Sequence, residues 1–195
     1  MILDWRKNFE TEFPFYMVQI APWSGYSGEY SAVLREQQEK TSLSVRKTGM
    51  IAIGDLVVKE VEDIHPKSKT GVGNRLANLA LKEVYGNNDL QPYFPRFENV
   101  VFEKNKAFII VKSIEKLKCN SKDIISFTIA GNDRVFHPAI AKIEKDGRIS
   151  VVSQEVKEPA SVRYCFTADK VPNLFDSNGL PLLPFRTDSW ELSTK

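Results

Sequence analysis

The residues best suited to chemistry cluster around one of the two histidines. His65 lies in a polar loop, eleven residues after the apolar run Gly49-Met50-Ile51-Ala52-Ile53-Gly54, with Asp63 two positions and Glu62 three positions before it. An imidazole that takes a proton from a serine hydroxyl needs a carboxylate to fix its tautomer and to stabilise the imidazolium. His65 with Asp63 therefore fits the base and acid of an ester hydrolase, and Asp55, at the carboxyl end of the preceding apolar run, is the alternative acid. The competing reading is a surface histidine among acids that favour a helix start. His137-Pro138 falls inside a segment expected to be a strand and reads as structural.

A nucleophile is harder to find. There is no G-x-S-x-G elbow, and Ser24-Gly25 has no companion pattern. Cys119 and Cys165 stand 46 positions apart, with no CxxC and only two histidines in the chain. That spacing encodes neither a disulfide framework nor a zinc site, and the pair reads as two buried thiols. No metal and no cofactor is expected. By itself the chain presents half of an active site.

Composition narrows the classes further. The 195 residues are 42% hydrophobic, with 27 Lys+Arg against 25 Asp+Glu and a net charge of +2. Charges so evenly mixed give no footprint for a phosphate backbone, which argues against nucleic-acid binding. The longest apolar runs, such as Ala107 to Val111, fall far short of the roughly 20 residues of a membrane-spanning helix. Met1-Ile2-Leu3-Asp4-Trp5-Arg6 has no signal-peptide grammar, which points to the cytoplasm if Met1 is the true start.

The elements that must position His65 alternate in type. Ile2, Trp5 and Phe9 are spaced as on a helix with no capping residue ahead of it, as though the helix were already in progress. Phe13 to Ala21 is nearly continuous in apolar residues and is expected to be a central parallel strand buried on both faces. Pro22 to Gly28 forms the loop at its carboxyl end, where open α/β sheets carry ligand chemistry. Tyr30 to Leu43 reads as a helix, Gly49 to Gly54 as the next strand, Asp55 to Pro66 as a loop, and Lys67 to Tyr85 as a second long helix stopped at Gly86-Asn87. After Asp89-Leu90-Gln91-Pro92 the grammar becomes that of strands and turns, with a hairpin over Asn99 to Val111 and further strands at Ile124 to Ala130, Phe136 to Ile143, Ile149 to Val152 and Val162 to Thr167. The tail, Pro172 to Asp188, reads as an irregular wrap. The expected division is residues 1–88 as part of an α/β domain and residues 89–195 as an all-β, sandwich-like module.

Two strands are too few for a free-standing doubly wound sheet, and both are apolar on each face. The expectation is a piece of a larger protein, or a chain that requires a companion polypeptide.

Several strings together carry a family resemblance. Met1-Ile2-Leu3-Asp4-Trp5-Arg6, Phe13-Pro14-Phe15-Tyr16-Met17-Val18-Gln19-Ile20-Ala21-Pro22, Leu34-Arg35-Glu36-Gln37-Gln38, Asp63-Ile64-His65-Pro66-Lys67-Ser68-Lys69 and Val72-Gly73-Asn74-Arg75-Leu76 appear in that order, and Pro184-Phe185-Arg186-Thr187-Asp188 stands near the end. The whole resembles the carboxyl half of the sialate O-acetylesterase family of SGNH-type carbohydrate esterases. The resemblance implies the C-terminal part of a flavodoxin-like SGNH hydrolase domain, and a Ser-His-Asp enzyme that removes acetyl groups from sugar hydroxyls, often on sialic acids. His65 matches the family's base. SGNH enzymes commonly place the acid three residues before the histidine, which is Glu62 here, but Asp63 belongs to the matching Asp-Ile-His-Pro string and is preferred.

The nucleophilic serine and the oxyanion-hole residues of such enzymes lie in sequence that precedes the Asp-Trp-Arg helix. The resemblance therefore implies an inactive isolated chain, completed by an N-terminal half or a companion chain, with an acetylated sugar or sialic acid as substrate. Gln19, Trp23 and Arg35 are candidate substrate contacts at the strand end: Trp23 or Tyr26 by stacking on a sugar, and Arg35 by its planar fork on a carboxylate, with packing and a helix ion pair as the plainer readings. Arg186 and Asp188 are expected to clamp the β module. The alternative function is a non-catalytic carbohydrate-binding or scaffold fragment. The chain does not fix its compartment; parents of this kind are periplasmic, secreted or lysosomal.

Overall fold

The computed structural model describes residues 1–57, 62, 63, 65 and 67–192. Val58 to Val61, Ile64 and Pro66, part of the predicted loop, lie outside the described residues. Helix α1 (Ile2–Asn8) leads into strand β1 (Phe15–Val18), helix α2 (Tyr30–Ser44) and strand β2 (Thr48–Ile51). A single 3₁₀ turn (Gly54–Val57) follows, then helix α3 (Thr70–Glu83). β1 and β2 pair in parallel, Phe15 opposite Thr48 and Val18 opposite Ile51, with α2 as the crossover between them. The predicted helix–strand order is observed.

β1 departs from expectation in burial. All four of its residues are half-buried rather than enclosed on both faces, because among the described residues its only strand partner is β2. A glycine sets the register of the covering side chains: a Cβ at Gly49 would meet the Tyr16 ring and Leu79, so the tyrosine lies across β2 toward α3. Ile51, Ala52, Val57 and Leu79 then form the centre of this core, joined by Phe94, Leu180 and Leu183 from later in the chain.

Every regular element after α3 is a strand. β3 (Arg96–Glu103) and β4 (Lys106–Lys112) form the predicted hairpin. β5 (Lys118–Cys119), β6 (Phe127–Ala130), β7 (His137–Pro138), β8 (Ile140–Ile143), β9 (Ile149–Val152), β10 (Ser161–Tyr164), β11 (Leu174–Phe175) and β12 (Phe185–Arg186) complete the chain. Two four-stranded antiparallel sheets result, ordered β3-β4-β9-β8 and β12-β10-β6-β7, with β5 and β11 as a separate pair. Ile109, Ile149 and Val151 from the first sheet and Ile129, Val162 and Tyr164 from the second share one core. The expected strand Phe136 to Ile143 is two short strands in different sheets, one on each side of Ala139.

Cys119 and Cys165 are both free thiols. Burial pushes Cys165 up to about 12, so it stays protonated. His137 Nδ1 pairs with Glu155, the structural role expected for it.

Two arginines face each other across β10 and β12 and reach back to α2. Arg163 holds Asp188 through Nε and Nη2 at 2.9 and 3.0 Å and takes Glu29, just before α2, through Nη1 at 2.5 Å. Arg186 grips Glu36 of α2 through Nε and Nη2 at 3.2 and 3.1 Å. The predicted clamp of the β module is thus broader, because its carboxylates come from α2 as well as from the tail. Breaking one partner of such buried pairs leaves an uncompensated charge, typically at a cost of about 3–5 kcal/mol.

Candidate functional site

The carboxyl ends of β1 and β2 point to the same end of the sheet, which is where an open α/β arrangement binds its ligand. Three segments meet there. Just after β1, Gln19 is buried and donates through Nε2 to the carbonyl of Arg35 at 3.1 Å. The loop after β1 brings Trp23, whose indole N–H donates to the carbonyl of Glu62 at 2.9 Å and whose main-chain N–H donates to the carbonyl of Ala168. The segment after β2 carries Asp63 and His65.

The local geometry of the histidine pair is set by a turn. The main-chain N–H of His65 donates to Asp63 Oδ1 at 3.0 Å, and the same oxygen lies 3.8 Å from His65 Nδ1. The imidazole is largely exposed, with 82% of its side-chain surface accessible. Asp63 is thus beside the ring, slightly beyond hydrogen-bond distance, and Nε2 has no hydrogen-bond partner among the described residues.

Asp55 is engaged elsewhere. Arg75 of α3 holds it bidentately at 2.7 and 2.6 Å and also donates to the carbonyl of Ala52. Both side chains of the pair are nearly buried, at 12% and 10% exposed. Glu62 contributes its carbonyl, through Trp23, to the tether of this segment.

Trp23 stacks edge-on against Tyr26 at 5.0 Å between ring centroids. Gly25 is required for this, since a Cβ there would run into the Trp23 ring. The aromatic pair and the His65 segment are therefore held together by one indole hydrogen bond.

Arg35 does not form the predicted helix ion pair. It is 1% exposed, Nη2 donates to the carbonyl of Thr167, and among the described residues Nε and Nη1 have no partner, nor has the hydroxyl of Ser31 one turn earlier. Burial pulls the guanidinium down to about 10, against the opposing influence of Cys165 and Tyr26. Sequence reading missed the role of Gln38 as well. Its amide accepts from the N–H of Ile20 at 2.9 Å and donates to the carbonyl of Val18 at 3.2 Å, closing off the end of β1 as a neighbouring strand would. A glutamine on a helix carries no sequence signal for that.

Among the described residues, no group of three or more His, Cys, Asp and Glu side chains could hold a metal ion. No helix among the described residues is long and apolar enough to cross a membrane.

The sequence matches no protein-family model and no curated protein. Among solved structures, a carbohydrate acetylesterase from Xanthomonas citri superimposes on 97% of this chain with a TM-score of 0.86 and 37% sequence identity. The chain is similar to part of a carbohydrate esterase. It spans 45% of the length of that protein, so more than half of the neighbour has no counterpart here.

Proposed function

We propose that this chain is a portion of a carbohydrate O-acetylesterase of the SGNH type, acting on acetylated sugars such as sialic acids, with its nucleophilic serine on polypeptide outside these 195 residues. The observation that carries the reading is the 37% identity over almost the whole chain to a carbohydrate acetylesterase. The His65–Asp63 turn after β2 supports it in chemical terms.

In this reading His65 Nε2 takes the serine proton as the serine oxygen attacks the acetyl carbonyl, and Asp63 stabilises the imidazolium. The imidazolium then returns the proton to the sugar oxygen as the ester bond breaks. A water activated by the same imidazole releases acetate from the acetyl-serine. Trp23 and Tyr26 form an aromatic wall beside this position, while Gln19 holds the α2 backbone and shapes the site indirectly. Oxyanion donors, each typically worth about 3–4 kcal/mol in such reactions, would also come from outside the chain. Among the described residues β1 pairs with β2 alone, and Leu3, Trp5 and Phe9 of α1 and its end are exposed; both favour a companion polypeptide.

Hydrolysis of p-nitrophenyl acetate and of an O-acetylated sialic acid tests the reading, using the chain alone and mixed with the polypeptide encoded next to it. Activity in the mixture that disappears in His65→Ala is the expected result. Activity of the chain alone that survives His65→Ala would overturn the site assignment.

A further inference from the structure

At the opposite end of the sheet from His65, beside the amino-terminal ends of β1 and β2 and the carboxyl-terminal ends of α2 and α3, lies a cavity of about 630 Å³. That volume falls within the roughly 300–1,000 Å³ of small-molecule sites. We propose that this cavity is a carbohydrate-binding site, separate from the hydrolytic end, that takes a mono- or disaccharide.

Three features favour a sugar over an apolar ligand. One is the aromatic lining: the Tyr16 ring, drawn across β2 by Gly49, together with Phe94 and with Tyr93, which is 43% exposed. Aromatic faces of this kind cover the C–H faces of sugar rings while leaving hydroxyls free for polar contacts.

A second is the pair Glu39 and Arg96, which face the same cavity and feel each other's charge, yet no hydrogen bond or ion pair joins them. Burial, moderated by Arg96, pushes the Glu39 carboxyl up to about 7. Both side chains are half-buried, so their polar atoms face the cavity and are open to a ligand. A vicinal diol offers both a donor to the carboxylate and acceptors to the guanidinium.

The third is the strand edge. Phe15 donates to the carbonyl of Lys47 and Gln19 to that of Ile51, so in this parallel ladder the main-chain groups of Thr48 and Met50 point away from β1. Among the described residues no strand pairs with that edge, and both residues line the cavity. They supply further donors and acceptors of the sort that hydroxyl groups satisfy.

The inference goes beyond the esterase reading and does not require it. The test titrates the ¹⁵N-labelled chain separately with xylobiose, chitobiose and N-acetylneuraminic acid and follows amide shifts. At least one of these sugars should shift Glu39, Thr48 to Met50 and Tyr93 saturably. Glu39→Gln and Tyr93→Ala should each weaken that binding about tenfold. Tyr93→Phe, which keeps the ring, should retain it, and so should His65→Ala. Shifts confined to Trp23–Gly28 and the His65 segment, or no shifts with any of the three sugars, would overturn the proposal. No hydrolysis by the mixture of the two polypeptides, with these shifts intact, would count against the esterase reading alone.

Discussion

Arg75 and Asp55 form a bidentate pair at 2.7 and 2.6 Å at the start of the segment that leads to His65. The pair fastens the start of that segment to α3, and Asp63 Oδ1 stands 3.8 Å from the imidazole Nδ1. The two acids should therefore fail differently. Asp55→Asn should lower stability by about 3–5 kcal/mol, because it strands a nearly buried guanidinium, and urea denaturation of the chain measures this. Asp63→Asn should leave the denaturation midpoint almost unchanged, since Asp63 is half exposed, and should instead depress kcat of the completed esterase. Equal losses of stability in both variants would contradict this division of roles.

The clamp between the sheets and α2 predicts acid sensitivity. Asp188 loses hydration, which by itself would raise its carboxyl, but the hydrogen bonds and charge of Arg163 bring it below its ordinary value. Glu36 behaves alike: burial opposes, and Arg186 and Lys40 prevail. Groups whose folded pKa is depressed contribute stability above their unfolded pKa and lose it as pH falls through the folded value. Stability should consequently fall as pH drops below the ordinary carboxylate range. In the double variant Arg163→Met/Arg186→Met, urea midpoints against pH should show a shallower slope there.

Glu39 carries the opposite sign. Its carboxyl is pushed up to about 7 by burial, with Glu36 adding to the effect and Arg96 and Lys40 opposing it; Glu83 and Lys47 also line the cavity. A carboxyl with a raised folded pKa contributes fully below its unfolded value and loses that contribution as pH rises toward 7. Glu39→Gln, which removes the ionisation but keeps the shape, should therefore raise the Tm more in mildly alkaline buffer than in mildly acidic buffer. Thermal denaturation at the two pH values decides it.

Arg35 is a buried cation with a single hydrogen bond, and no carboxylate among the described residues satisfies it. Uncompensated burial of charge is unfavourable, and apolar replacement of buried ionic groups often stabilises by about 1–4 kcal/mol. Arg35→Met should increase the Tm of the chain. A large decrease instead would mean that the guanidinium has a partner outside the described residues or a bound anion.

The helices and strands of the first half were legible because their apolar residues repeat at the helical period or run continuously, and the turn residues that separate the later strands mark their limits. The closeness of Asp63 to His65 was legible because residues two positions apart in a turn lie side by side in space. The burial of β1 was misjudged, since an apolar run records what a strand is suited to touch and not whether a neighbour is present.

The sequence by itself determined the local elements, the histidine–carboxylate turn and the balance of charge, all of which depend on neighbours a few residues apart. Only the tertiary structure decided which carboxylate Arg75 takes, which strand end Gln38 closes and what Arg163 and Arg186 hold. Those pairings join residues 20, 18, 134 and 150 positions apart, and such distances are closed by packing of the whole chain, for which no short-range pattern exists.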